Sequence, residues 1–205
     1  MSRSSFYRIG EMGVISPDFY LSNIRSEEGS DESCFTPTDY DFGLIKEAWG
    51  DANAHLEEWC KQRDSPMVVF LCGIPASGKS TYLRKTENRF GSTWSDRLPV
   101  FGRHQTLKHS EDILFFDATF TSPFGRKKTI EIIMNANSNS RIGLVKMQCS
   151  YETCLERNSQ RSKDRIIPVE VMERMKTALE DNPPLLSEGF EFIATTHTSD
   201  GHTKD

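Results

Sequence analysis

The chain lacks the features of a secreted or membrane-embedded protein. Its five cysteines are odd in number and include no C-x-x-C pair, which argues against a disulfide framework and a zinc site. No apolar run approaches the roughly 20 residues that a membrane span requires, and the N-terminus has no charged-then-apolar signal pattern. These absences predict a cytoplasmic protein without a membrane segment.

The chain also lacks an excess of basic charge. It has 25 Lys and Arg against 30 Asp and Glu, a formal net charge of −5. Binding to a polyanion would therefore depend on a local basic patch. At 205 residues the chain is long enough for one sizeable core, although its hydrophobic content of 36% is low for a compact domain.

What the sequence does contain is a complete phosphate-binding loop of the pattern G-x-x-x-x-G-K-[ST]. Its residues are Gly73, Ile74, Pro75, Ala76, Ser77, Gly78, Lys79 and Ser80, followed by Thr81. The apolar run Met67–Cys72 before the loop is typical of a buried parallel strand, and residues 80–85 predict a helix. This context favours a functional loop over a chance Gly-rich turn.

The chemistry of such a loop requires these residue types. Glycines let the backbone wrap around a triphosphate, while the N–H groups and the helix N-terminus supply partial positive charge. Lys79 adds a full charge, and Ser80 can place its hydroxyl on a bridging Mg²⁺ ion. The loop therefore predicts that the chain binds ATP and Mg²⁺.

Strand and helix patterns alternate after the loop. We expect strands at residues 113–117, 142–147 and 190–193, and helices at 126–138, 151–161 and from Pro168 to the residues before Pro183. This alternation predicts an α/β protein with a three-layer α/β/α arrangement. Its central parallel sheet would have four or five strands, with Met67–Cys72 near the centre.

The residues before the loop predict an extension of this core. Residues 1–37 have few apolar side chains and indicate an irregular arm, whereas residues 38–62 carry an apolar stripe at helical spacing that includes Trp49 and Trp59. We therefore expect an arm and a packed helix at 1–62, a P-loop domain at 63–195, and a disordered tail at 196–205.

Asp117 ends the apolar strand that follows the loop helix. Since the carboxyl ends of parallel strands meet at one edge, we expect Asp117 beside the loop. A carboxylate there can hold Mg²⁺ or orient an acceptor. The alternative is that Asp117 only caps the next turn.

Arg157 and Arg161 share a face of one predicted helix, and Arg165 follows in a polar loop. Arginines that close over a γ-phosphate stabilise its charge during transfer, so this segment predicts a lid. The alternative is a solvated basic helix end.

These segments resemble a known family. Residues 73–81, Asp117-Ala118-Thr119, and residues 155–161 followed by 167–172 resemble the kinase domain of phage-type polynucleotide kinases, over about residues 66–193. Pro184 and Glu188-Gly189-Phe190 resemble a segment of the polynucleotide-kinase domains of eukaryotic repair enzymes and of seryl-tRNA kinases, which are related to zeta-toxin kinases. The resemblance implies a P-loop kinase that transfers phosphate from ATP to a 5′-hydroxyl of DNA or RNA. It places Lys79 and Ser80 at the phosphates and Mg²⁺, Arg161 in the lid, and Asp96 as general base.

The acceptor side depends on Asp96 and nearby cations. Asp96 lies where small P-loop kinases end their second strand, although Trp94-Ser95-Asp96-Arg97 also fits a polar turn. The cations expected to form a basic patch for a nucleic-acid strand are Arg97, Arg103, Lys108, Arg126 and Lys127.

The sequence departs from the family near Asp96, where the following basic string is sparse and the segment up to Asp117 is short. Three alternatives therefore stay open. They are a kinase of a hydroxymethylated base in DNA, a small-molecule kinase of the toxin type, and a non-enzymatic nucleotide switch. The sequence does not define the oligomeric state.

Overall fold

A computed structural model describes residues 7–9, 12–18, 42–87 and 113–198. Within these ranges the strands are β1 (Tyr7–Ile9), β2 (Met12–Ile15), β3 (Met67–Cys72), β4 (Ile113–Asp117), β5 (Arg141–Gln148) and β6 (Phe192–His197). The helices are α1 (Phe42–Lys61), α2 (Lys79–Glu87), α3 (Pro123–Ala136), α4 (Tyr151–Ser159) and α5 (Val169–Asp181). In this part of the chain, no helix is both long and apolar enough to cross a membrane.

The strands form a single sheet in the order β1-β2-β4-β3-β5-β6. Five strands are parallel, and β1 pairs with β2 in the antiparallel sense at one edge. The predicted α/β class, the parallel sheet and the central position of Met67–Cys72 are confirmed, because β3 lies between β4 and β5.

Alternate residues of β3 enter two separate cores. Val68, Phe70 and Cys72 pack in a cluster with residues of α1 and α3, whereas Met67, Val69 and Leu71 pack in a second cluster with Leu83 of α2. All six β3 side chains are fully buried. A strand covered on both faces needs the continuous apolar run that the sequence has here. The arrangement is compatible with the expected three layers.

Helix α1 packs on the core as its apolar stripe predicts. Leu56 and Trp59 are buried, and the Trp49 ring lies 5.7 Å from the ring of Phe116 and 5.8 Å from that of Phe120. The two tryptophans therefore contribute to packing, as expected for an amphipathic helix.

The expectation that residues 1–37 form an irregular arm is wrong for β1 and β2. Strand β2 pairs in parallel with β4, with Ile15 opposite Phe116, and both Val14 and Ile15 are buried. A strand this short carries little periodic signal of its own, and it is stabilised by pairing and burial against distant residues. Apart from residues 16–18, the remainder of residues 1–37 lies outside the described residues.

The predicted start of the tail at residue 196 is also wrong. Strand β6 continues to His197, and the N–H of Thr198 donates to the carbonyl of Gln148 at 3.0 Å. The polar composition of this end is explained by its position, because β6 is an edge strand with partly exposed side chains. Residues 199–205 lie outside the described residues.

Replacing Ile15 by Ala should lower the free energy of unfolding by about 2–5 kcal/mol, because a fully buried side chain is truncated on a strand that completes the sheet. Chemical denaturation measures the loss. The matched control is Val169→Ala, at an apolar side chain that is 52% exposed, and it should change stability by less than about 0.5 kcal/mol. An equally small effect at Ile15 would show that β2 does not pair with β4.

Candidate active site

The segment from Gly73 to Ser80 begins directly after β3 and ends in the first turn of α2, so the predicted order of strand, loop and helix is confirmed. The N–H of Gly73 donates to the carbonyl of Thr119 at 3.0 Å, which ties the start of the loop to the segment after β4. Gly78 has φ of +97°, and a Cβ there would lie 2.8 Å from Cγ2 of Thr198. Glycine at this position therefore satisfies both the backbone conformation and the close approach of Thr198.

Lys79 is the first residue of α2, and its side chain turns back over the loop. The ammonium Nζ donates to the carbonyls of Gly73 at 2.8 Å and Ile74 at 3.1 Å. Burial lowers the pKa of Lys79, while the nearby carboxylates of Asp117 and Asp18 act in the opposite direction. The charge is therefore held within the concave side of the loop by backbone oxygens and flanked by carboxylates.

Asp117 and Ser80 meet at the carboxyl edge of the sheet. Asp117 ends β4 opposite Leu71 of β3, and the Ser80 hydroxyl donates to Asp117 Oδ2 at 3.4 Å. Burial raises the pKa of Asp117, with Lys79 and the Ser80 hydrogen bond opposing that shift. Asp117 does not cap the following helix, because the N-cap of α3 is Ser122. A hydroxyl facing a buried carboxylate provides oxygen ligands of the kind that Mg²⁺ prefers.

The segment predicted as a lid is anchored at its base. The amide of Asn158 is buried; its nitrogen donates to the carbonyl of Ile167 at 2.8 Å, and its oxygen accepts from the Ile167 N–H at 3.1 Å. These two bonds close the polar loop between α4 and α5. Ile74 of the phosphate-binding loop packs against Cys154 and Met172 of the same two helices. The two helices that flank the predicted lid therefore pack against the loop that carries Lys79.

The structure separates the two lid arginines. Arg161 lies beyond the end of α4, where its Nη1 donates to the carbonyl of Arg165 at 3.5 Å and its charge lowers the pKa of Lys79. Burial lowers the pKa of Arg161 itself, and Asp18 acts in the opposite direction. Arg157 instead directs Nη1 to the sulfur of Cys149 at 3.5 Å. Of the two, Arg161 is the one whose charge acts on the pKa of Lys79.

Arg126 was expected in a surface basic patch, and that expectation is wrong. Its side chain is 1% exposed and makes a bidentate ion pair with Glu188, at 2.6 Å and 2.9 Å. It also donates to the carbonyls of Phe120 at 3.0 Å and Asn182 at 3.1 Å. These four bonds join α3 to the chain after α5, and a buried guanidinium with four of its five N–H donors occupied is not a surface group that can bind a strand of nucleic acid.

The remaining acceptor-side candidates, Asp96, Arg97, Arg103 and Lys108, lie outside the described residues, and their roles stay predictions. Lys127 is exposed on α3, where it pairs with Glu131 at 3.9 Å.

Two residues at the site, Thr198 and Asp18, belong to no recognisable sequence motif. The Thr198 hydroxyl donates to the carbonyl of Ser77 at 2.9 Å, so the end of β6 is attached to the loop. Asp18, just after β2, is close enough to affect the pKa values of Lys79, Asp117 and Arg161. Neither could be found from the sequence, since each depends on where a short strand lies in the sheet.

No protein-family model matches this chain, and no curated protein matches it significantly. The assignment of function therefore depends on the geometry of the site and on the residues themselves.

Replacing Arg126 by Met should cost about 3–5 kcal/mol of unfolding free energy, because it leaves the Glu188 carboxylate without its partner. The double variant Arg126→Met/Glu188→Gln should recover much of this loss, since no unpaired charge is left. Lys127→Met, one residue away and 78% exposed, is the matched control and should be neutral. If Arg126→Met is as stable as that control, the ion pair does not hold these segments together.

Proposed function

We propose that this chain is an ATP-dependent kinase that transfers the γ-phosphate of ATP to a hydroxyl of a nucleic acid, with the 5′-hydroxyl end of DNA or RNA as the favoured acceptor. The observation that carries the proposal is the contact between Ser80 and Asp117 at the helix end of a phosphate-binding loop. A motif can occur by chance, but a chance match does not bring a carboxylate from the adjacent strand to the motif's own hydroxyl.

Mg²⁺ fits this pair of residues. In the described part of the chain, His, Cys, Asp and Glu side chains form no group of three or more that could hold a metal ion. Ser80 and Asp117 supply a hydroxyl and a carboxylate, and the phosphates of ATP would complete the oxygen coordination. When bound, Mg²⁺ neutralises charge on the β- and γ-phosphates.

Different residues of the chain would carry out the other parts of the transfer reaction. The loop N–H groups and Lys79 bind the phosphates, and Arg161 stabilises charge on the γ-phosphate oxygens during transfer. The acceptor oxygen forms a bond to the γ-phosphorus as the bond from that phosphorus to the β–γ bridging oxygen breaks, and ADP leaves. The anchored lid keeps Arg161 close to this position.

The choice of a nucleic-acid acceptor is supported by the family resemblance and by local charge. Arg161, Lys163 and Arg165 lie within five residues of one another, with Asp164 among them, on the polar loop that closes at Asn158 in an acidic protein. Such a concentration of cations is what a polyanion would require.

An acceptor panel tests the proposal. The protein is incubated with Mg²⁺ and γ-labelled ATP together with 5′-hydroxyl DNA, 5′-hydroxyl RNA, DNA that contains a hydroxymethylated base, or free nucleosides. We expect label on a 5′-end and a rate that falls steeply with salt. Label on the modified base or on a nucleoside would identify a different acceptor, and ATP hydrolysis without label on any acceptor would contradict the kinase function.

Lys79→Ala should reduce phosphate transfer by ~10²-fold or more, because it removes a charge directed at the β- and γ-phosphates. The variant should still fold, since the lysine's hydrogen bonds are made only to carbonyls of the loop. Initial rates measure the effect, and the unfolding temperature serves as the control for folding. More than a few per cent of residual activity would argue against a catalytic role for this lysine.

Arg161→Ala should lower turnover more than it lowers affinity for ATP, because its contact strengthens as charge develops in transfer. Turnover and the dissociation constant of a fluorescent ATP analogue are measured separately. Arg174→Ala, at an exposed arginine of α5, is the matched control. An equal loss in turnover and affinity would instead indicate that Arg161 contributes only to binding.

A further inference from the structure

The N-terminal strand brings a carboxylate to the active site that no motif identifies. Strand β2 runs parallel to β4 with Ile15 opposite Phe116, so the two strands end at the same edge of the sheet. Asp117 is the last residue of β4. The residues that follow β2 therefore emerge beside Asp117.

Those residues are Ser16, Pro17 and Asp18. Ser16 and Pro17 are buried, whereas Asp18 is exposed, so the chain presents one carboxylate at the carboxyl edge of the sheet. The charged groups around it come from three other elements: Lys79 at the start of α2, Asp117 at the end of β4, and Arg161 in the lid loop. Each of these groups has its pKa affected by Asp18.

We propose that Asp18 is the carboxylate that orients the acceptor hydroxyl and accepts its proton, an inference that rests on the proposed kinase function. As the acceptor oxygen bonds to the γ-phosphorus, its proton passes to Asp18 and then to solvent, and ADP leaves with the electrons of the broken bond. A carboxylate near both Lys79 and Arg161 lies near the γ-phosphate that they would bind, and its exposure leaves it accessible to a polynucleotide end.

The sheet favours Asp18 over the two other candidates. Asp117 is buried and accepts a hydrogen bond from Ser80, which assigns it to the metal side of the site. Asp96 lies outside the described residues, and both edges of β4 are paired, one with β3 and the other with β2, so no strand that leads to Asp96 lies directly beside β4. The carboxylate that the described sheet brings beside the end of β4 is therefore Asp18, which follows β2.

Asp18→Asn tests this role, because an amide is similar in size but cannot take the proton. With the acceptor on which the wild-type protein is most active, we expect the transfer rate to fall ~10²-fold or more. Affinity for ATP should stay the same or increase, since the substitution removes a negative charge near Lys79. Asp18→Glu should recover part of the lost rate because it restores a carboxylate. Asp51→Asn, at an exposed aspartate of α1, is the matched control.

Each other outcome overturns the inference. A normal rate in Asp18→Asn would place the base elsewhere while the kinase function stands. A large loss of rate in Asp96→Asn alongside it would identify Asp96 as the base. Recovery of Asp18→Asn activity at high Mg²⁺ would make Asp18 a metal ligand. If the wild-type protein transfers phosphate to none of the acceptors, the proposed function fails and the role of Asp18 fails with it. Should Asp18→Asn fold poorly, Asp18→Ser with the same two measurements takes its place.

Discussion

The site depends on the pairing of β3 with β4. This pairing sets Leu71 opposite Asp117, so the last residue of β4 lies level with the start of the phosphate-binding loop. The last residues of the loop form the first turn of α2 at this same edge of the sheet. There the Ser80 hydroxyl donates to Asp117. Because every β3 side chain is buried between two cores, a shift of one residue in this register would exchange the faces and separate the pair.

The loop is also held by parts of the chain that are distant in sequence. Thr119 accepts from the N–H of Gly73, Thr198 donates to the carbonyl of Ser77, and Ile74 packs on the helices that flank the lid. Contacts from three directions restrict the loop's conformation. Preorganised donors lose little energy to rearrangement, and this is the property that makes a fixed array of N–H groups effective for charge stabilisation.

The sequence was sufficient to predict those elements whose local residue pattern agrees with their role in the tertiary structure. The run Met67–Cys72, the loop and the stripe of α1 were predictable because burial on two faces, phosphate binding and packing each require a recognisable pattern. Strand β2 was not predictable, since it is stabilised by pairing with β4, and neither was the burial of Arg126, whose partner Glu188 is remote in sequence. Asp18 was missed for the same reason, because its position follows from a strand that only the sheet reveals.

A crystal structure with Mg²⁺ and a non-hydrolysable ATP analogue tests the central claim most directly. The account predicts the triphosphate within residues 73–80, with Mg²⁺ about 2.0–2.1 Å from the Ser80 hydroxyl and bound to Asp117 directly or through water. It also predicts that Arg161 faces the γ-phosphate. A nucleotide bound elsewhere, or a metal that contacts neither Ser80 nor Asp117, would contradict it.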